Sequence, residues 1–190
     1  FENVSIISFN YDRCIERYLP TSLANFYSMD VSETRAIMKE KLRIIRPYGI
    51  AGLLDWMAPP PSKLGLRDNE FAKKLIRDAE LIRTISEGIG DSSIGSSIKD
   101  CLSNAQRVIF LGFAFHDRNM EVTKVPVQPN TEILATAHAV SDSDQEVIRA
   151  LIHGTFEVSP GDRNLVTIAP VTCKKLFEEY SRTIIAPPTR

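Results

Sequence analysis

The chain lacks most of the features that announce the common special classes of protein. Its three cysteines, Cys14, Cys101 and Cys173, are scattered and odd in number, and no C-x-x-C pair occurs. A disulfide framework is therefore not expected, and a reducing, cytoplasmic setting is. No His/Cys/Asp cluster has the spacing of metal ligands. Charge of one sign is missing too: 23 Lys and Arg against 24 Asp and Glu leave a net charge of -1. That balance gives no footprint for nucleic acid and no pull toward an anionic membrane, so neither is expected as a partner. No apolar run approaches the roughly 20 residues that span a bilayer. The G-x-S-x-G elbow of an α/β hydrolase is absent, which removes that reading. Also lacking is the strand and Gly-rich turn that cradles phosphate at the start of NAD-binding sheets. The chain opens at Phe1 and reaches its first apolar run at Val4, so a segment carrying that strand and loop is expected to be missing from it.

What is present is ordinary globular material. Hydrophobic residues make up 43% and charged residues 25% of 190, enough for one sizeable α/β core. The expectation is a single domain over residues 1–190. The stretch that organises it is Val4–Glu16, VSIISFNYDRCIE. Val4, Ile6, Ile7 and Phe9 read as a buried strand, whereas Tyr11, Cys14, Ile15 and Tyr18 have the i, i+3, i+4, i+7 spacing of a helix face. Asn10, Tyr11 and Asp12 thus sit where a strand turns into a helix. In open parallel α/β sheets that is where ligands bind. An amide and a carboxylate two residues apart suit such a site, and so does a helix start, which favours Asp12. The plainer alternative is that Asn10 and Asp12 only cap the helix.

Downstream, Pro20 and the residues from Thr21 to Asp30 read as a turn or irregular segment. Asp30 to Glu33 has the form of a capping box before a helix over Thr34–Leu42. Arg35, Lys39, Lys41, Arg43 and Arg46, interleaved with Glu33 and Glu40, read as a solvated basic face. Leu42–Ile45 is a short strand ended by Pro47 and Gly49. Pro59, Pro60 and Pro61 break the chain ahead of an amphipathic helix over Asn69–Ile85. Gly88 to Gly95, GIGDSSIG, follows a helix rather than a strand and reads as a flexible loop rather than a phosphate loop. Ser96 or Ser97 then caps a helix through Leu102. Val108–Phe115, VIFLGFAF, is the most apolar run and predicts a central buried strand. Glu132–Val140 is another strand, with His138 as a satisfied core residue. Ser141 caps a helix over Asp144–His153 with Val147, Ile148, Leu151 and Ile152 inward, His153 suiting its C-terminal dipole. Leu165–Ile168 is a last strand, and Thr172 caps a helix with Leu176, Phe177, Tyr180 and Ile184 inward. Strands alternating with helices predict an α/β, doubly wound, mainly parallel sheet with helices on both faces.

Three segments, in order, carry a resemblance. FNYDRCIE (Phe9–Glu16) resembles the TTNYD-x-x-x-E signature of the bacterial SIR2-like domains, distant relatives of the sirtuins. Arg46-Pro47-Tyr48-Gly49 fits the family's second motif. Phe110 to Asp117, FLGFAFHD, is similar to its strand ending in G-Y-S-x-x-D. The resemblance covers residues 4 to 117 and implies a Rossmann-like sheet that binds NAD, as substrate or ligand. Active members cleave the nicotinamide–ribose bond, many as effectors of prokaryotic defence proteins that also carry other domains or self-associate. It implies a catalytic role for Asn10, as the orienting amide, and for Tyr48 at the position of the catalytic His. Asp12 would place the nicotinamide amide, with Tyr11, Gly49, Gly112, Phe113 and Asp117 as further cofactor-binding residues. Asn10, Tyr48, Gly112 and Asp117 are expected to line one crevice at the carboxyl ends of the strands. Zinc is not expected, since the four-cysteine module of the sirtuin deacylases cannot be built here.

Two departures bear on activity. Tyr48 stands where active members have His, and an unperturbed Tyr, with a pKa near ~10, is a poor base at neutral pH. Ala114 stands where a Ser is usual and removes a hydroxyl from the pocket wall. His116 lies near by as a conceivable replacement base, though a lone His beside a strand end is more often structural. Two functions therefore compete. One is an NAD hydrolase, favoured by Asn10 and Asp12. The other is a degenerate module holding NAD, a related nucleotide or a partner protein, favoured by Tyr48, Ala114 and the missing Gly-rich turn.

Overall fold

In the computed structural model, residues 3–54, 56–57, 81–82, 93–158 and 165–187 are described. The chain forms two compact units, Phe1–Gly95 and Ser96–Arg190, both of α/β character.

The first unit is built on two parallel strands, β1 (Ser5–Ile7) and β2 (Arg43–Ile45), in the register Ser5 to Arg43, Ile6 to Ile44 and Ile7 to Ile45. Two helices connect them, α1 (Cys14–Tyr27) and α2 (Val31–Lys41), which pack on each other. The predicted buried strand at Val4–Phe9 is corrected in two ways. It is three residues long, and it is half-covered, with Val4 exposed and Ile6 and Ile7 intermediate. The helix face is corrected too. Tyr11 precedes α1, Cys14 and Tyr18 are exposed, and the buried stripe is Glu16, Pro20 and Ala24, each four residues on from the last.

Pro20 does not break this helix, as its type had suggested. Its ring sits fully buried, and its own carbonyl accepts from the Thr34 hydroxyl of α2 at 3.0 Å. Packing therefore outweighs the loss of one ladder bond, which costs ~3 kcal/mol in an isolated helix. The predicted Asp30 cap is present, its carboxylate accepting from the Ser32 N–H, and α2 then starts at Val31. Of the predicted helix over Asn69–Ile85, only Leu81 and Ile82 are described. Leu81 lies in a turn, and Ile82 forms an antiparallel bridge with Gly49. Pro59, Pro60 and Pro61 lie outside the described residues.

The second unit carries three parallel strands, β3 (Arg107–Phe110), β4 (Glu132–Thr136) and β5 (Val166–Ala169), in the order β3-β4-β5. Helix α3 (Ser93–Ser103) precedes them, α4 (Asp117–Thr123) links β3 to β4, and α5 (Asp142–Phe156) links β4 to β5. Helices α6 (Cys173–Glu179) and α7 (Ser181–Ile185) close the chain. Because α3 begins at Ser93, Ser96 and Ser97 lie inside it rather than capping it, and the end of the GIGDSSIG stretch is helical. The core joins Leu134, Ala169 and Leu176 with half-buried Ile109, Val171, Tyr180 and Ile184. Arg107 ties the bottom of the sheet together. It pairs with Glu132 and donates to the carbonyls of Ile184 and Ala186 at the end of α7.

Several boundaries move. β3 stops at Phe110, since Gly112 and Phe115 both adopt positive φ, +57° and +54°, which no strand continues through. Among the described residues β4, not β3, is the central strand of its sheet. β4 ends at Thr136, which puts His138 in an exposed turn instead of the core. Ser141 caps α5 as expected, but Val147 is 63% exposed, and Ile152, Thr155 and Phe156 make the buried face. Thr172 caps α6, whose Leu176 is buried while Phe177 faces solvent.

Candidate functional site

The residues singled out by the motifs divide between the units: Asn10, Tyr11, Asp12, Tyr48 and Gly49 in the first, Gly112, Phe113 and Asp117 in the second.

In the first unit, the two motif turns follow the carboxyl ends of β1 and β2, and five hydrogen bonds tie them to each other and to the flanking Ser8 and Glu16. The Ala51 N–H donates to the Tyr11 carbonyl at 2.9 Å. Arg46 Nη1 donates to the Asn10 carbonyl at 2.8 Å and to the Ser8 hydroxyl at 3.2 Å. Arg46 Nη2 and Nε reach both carboxylate oxygens of Glu16, at 2.7 and 3.3 Å. The Tyr48 ring, 7% exposed, stands edge-on to Phe9 at 5.8 Å between centroids and tilted against Tyr11 at 6.4 Å. The segment Arg46-Pro47-Tyr48-Gly49 is a turn closed by the Gly49 N–H on the Arg46 carbonyl, with Gly49 at φ +78°. Pro at the second turn position and Gly at the fourth favour this geometry.

Arg46 is thus no part of a solvated basic face. It is 8% exposed and forms a two-pronged pair with Glu16, itself 5% exposed, while Arg13 Nη2 adds a second cation 3.1 Å from Glu16 Oε1. Sequence reasoning missed this pair. The signal was there: Glu16 closes the first motif and Arg46 opens the second, each beside an apolar run.

The side chains at the first turn differ in availability. Asn10 is exposed, and among the described residues nothing holds its side-chain amide. Asp12 Oδ1 accepts the Cys14 N–H at 2.9 Å from the residue before the N-cap, Arg13, whose own side chain makes no capping bond. That bond, helped by the Arg46 charge, holds the Asp12 carboxyl below the usual carboxylate range and keeps it ionised. The Asp12 charge and its hydrogen bond in turn raise the Cys14 thiol, which removes it as a thiolate nucleophile at neutral pH. Here the turns can orient hydroxyls and amides of a ligand by hydrogen bonding.

In the second unit, the Gly112 N–H donates to Thr136 Oγ1 at 2.9 Å, and Gly112 is exposed at the end of β3. A Cβ at Gly112 would lie 3.5 Å from Cys173 Sγ. Phe113 packs on Phe110 and Phe115 at 5.2 and 5.1 Å, so its ring fills a cluster in this unit. Asp117 opens α4 and borders a shallow cavity of about 440 Å³ with Glu121 and Lys124. Ala114 is exposed, and His116, at the N-cap position of α4, is exposed and makes no capping bond. Among the described residues no His/Cys/Asp/Glu group is arranged to hold a metal ion, and no helix is long and apolar enough to cross a membrane.

No family model, curated protein or solved structure matches the chain.

Proposed function

We propose that the chain is a SIR2-like domain with a Rossmann-like, doubly wound architecture that holds NAD or a related nucleotide and turns it over slowly or not at all. The observation that carries this reading is the tie between the Asn10–Asp12 turn and the Arg46–Gly49 turn beyond the carboxyl ends of two parallel strands. Parallel α/β sheets place ligands at such strand ends. A buried two-pronged ion pair there fixes the turn carrying Asn10, as a ligand-orienting amide requires. For the second unit, the resemblance assigns Gly112 and Asp117 to the dinucleotide. Phe113 is packed in its own aromatic cluster, which leaves its backbone as the part that could meet a ligand.

Slow turnover is favoured over efficient hydrolysis because Tyr48 occupies the base position and its ring is packed between Phe9 and Tyr11. The exposed, unheld amide of Asn10 is what favours the active alternative, a defence-type NAD hydrolase. Binding is tested by calorimetric titration of NAD into the protein. Weak saturable binding, reduced about tenfold by Asn10→Ala, is expected for one lost hydrogen bond to a desolvated ligand group. The absence of binding would remove the nucleotide reading.

A further inference from the structure

A cavity of about 350 Å³ in the first unit is bordered by Arg13, Glu16 and Arg46 of the motif segments but by none of Asn10, Tyr11, Asp12, Tyr48 and Gly49. Its wall combines apolar Met38, Leu42, Ile44 and Ile50 with cationic Arg13, Lys39 and Arg46. Trp56 also borders it, with the Arg35 guanidinium 5.4 Å from the Trp56 ring centroid. Among the described lining residues Glu16 is the one carboxylate, and both of its oxygens are already engaged by Arg46 and Arg13. The Arg13 side chain is only 9% exposed, its Nη2 reaches Glu16 and Met57 Sδ, and among the described residues its buried Nε–H has no hydrogen-bond partner. Burial destabilises the Arg13 charge, more than Glu16 alone offsets. A buried, unsatisfied donor on a charged group costs free energy that an acceptor placed there would recover.

We infer that this cavity is a binding site for a small anion-bearing molecule, a carboxylate or phosphoryl group on a planar apolar body. The anionic group meets Arg13 and Lys39, and the body lies against Met38, Leu42, Ile44 and the Trp56 ring. Arg46 is the less available cation, since Glu16, Ser8 and the Asn10 carbonyl already occupy it. A site of this volume with an apolar wall and few convergent polar groups has the ordinary form of a small-molecule pocket. It shares Glu16 and Arg46 with the tie between the two turns, but its ligand is held by Arg13 and Lys39, so it does not depend on the nucleotide reading.

Trp56 is the only tryptophan in the chain, so its fluorescence reports on this cavity directly. The test titrates the protein with benzoate and with phenyl phosphate, using benzamide as the neutral counterpart of benzoate. A saturable change in Trp56 emission with at least one anion, and none with benzamide at the same concentrations, is expected. The tighter of the two anions identifies the headgroup. Arg13→Gln and Lys39→Gln should each weaken binding about tenfold, the scale of one charge-assisted hydrogen bond. Lys39 is exposed on α2, so its variant keeps the fold even if Arg13→Gln does not. Equal responses to benzamide and benzoate, no saturable response to either anion, or unchanged affinity in Lys39→Gln would each overturn the assignment. NAD plays no part in this test, so its outcome stands apart from that of the nucleotide reading.

Discussion

At the scale of single residues, the Glu16–Arg46 pair matters most. Removing one partner of a buried pair strands the other charge, which typically costs about 3–5 kcal/mol, whereas replacing both by apolar groups is often neutral. Arg46→Ala is expected near the lower end, about 3 kcal/mol, because Arg13 still neutralises Glu16. Arg46→Met combined with Glu16→Leu and Arg13→Met, which leaves no charge of the cluster unpaired, should recover most of that loss, and urea unfolding of the unmodified protein and the two variants measures both. A loss in the combined variant as large as in Arg46→Ala would mean the cluster contributes more than mutual neutralisation. Asp12 gives a pH signature. Its folded carboxyl titrates below the ordinary value because the Cys14 N–H favours the charged form. The resulting stabilisation is complete above the unfolded value of ~3.9 and disappears as pH falls through the lower folded value. Solvent screening keeps it small. Asp12→Asn keeps an acceptor for Cys14 and removes the titration, so melting temperature against pH should fall less steeply below about pH 4 than in the unmodified protein. Identical acid limbs would contradict the assignment.

At the scale of elements, local chemistry was legible and three-dimensional compensation was not. Asp30, Ser141 and Thr172 each cap the helix their type and position announced, because a cap is a contact within four residues. The parallel strands at 5–7, 43–45, 107–110, 132–136 and 166–169 all fall within or beside the apolar runs that suggested them. Pro20 misled because the sequence gives no sign of the Thr34 hydroxyl that meets its carbonyl. Val147 and Phe177 misled because helical periodicity marks a face but not which residue at its margin the sheet covers. VIFLGFAF looked like eight residues of strand, and the backbone at Gly112 ended it after Phe110. Gly112→Ala tests that point. The φ of +57° disfavours any Cβ, while the 3.5 Å approach to Cys173 Sγ is ordinary contact, so the cost should be the backbone term alone, about 1 kcal/mol. Thermal unfolding should show a drop of a few degrees. An unchanged or raised melting temperature would mean the left-handed turn is not what terminates β3.

At the scale of the whole molecule, the sequence conveyed an α/β chain with parallel strands, and that is what the two units are. The candidate site was legible only in part. Motif order brought out Asn10, Asp12 and Tyr48, which lie on turns joined to each other. The Glu16–Arg46 pair that joins them stayed hidden, because a charged residue in a sequence reads by default as solvated. We propose a nucleotide site at these strand ends, with Tyr48 at the position of the family's base. General-base help is worth about 10²–10⁴-fold, and a tyrosine of ordinary pKa near ~10 does not supply it at neutral pH. The decisive measurement is the rate of nicotinamide release from NAD by the unmodified protein, by Tyr48→His, and by Tyr48→His combined with Asn10→Ala. Slow or undetectable release from the first, a clear rise in the second, and loss of that rise in the third are expected. Fast release from the unmodified protein, crippled by Tyr48→Phe, would contradict the account and make Tyr48 itself the competent group.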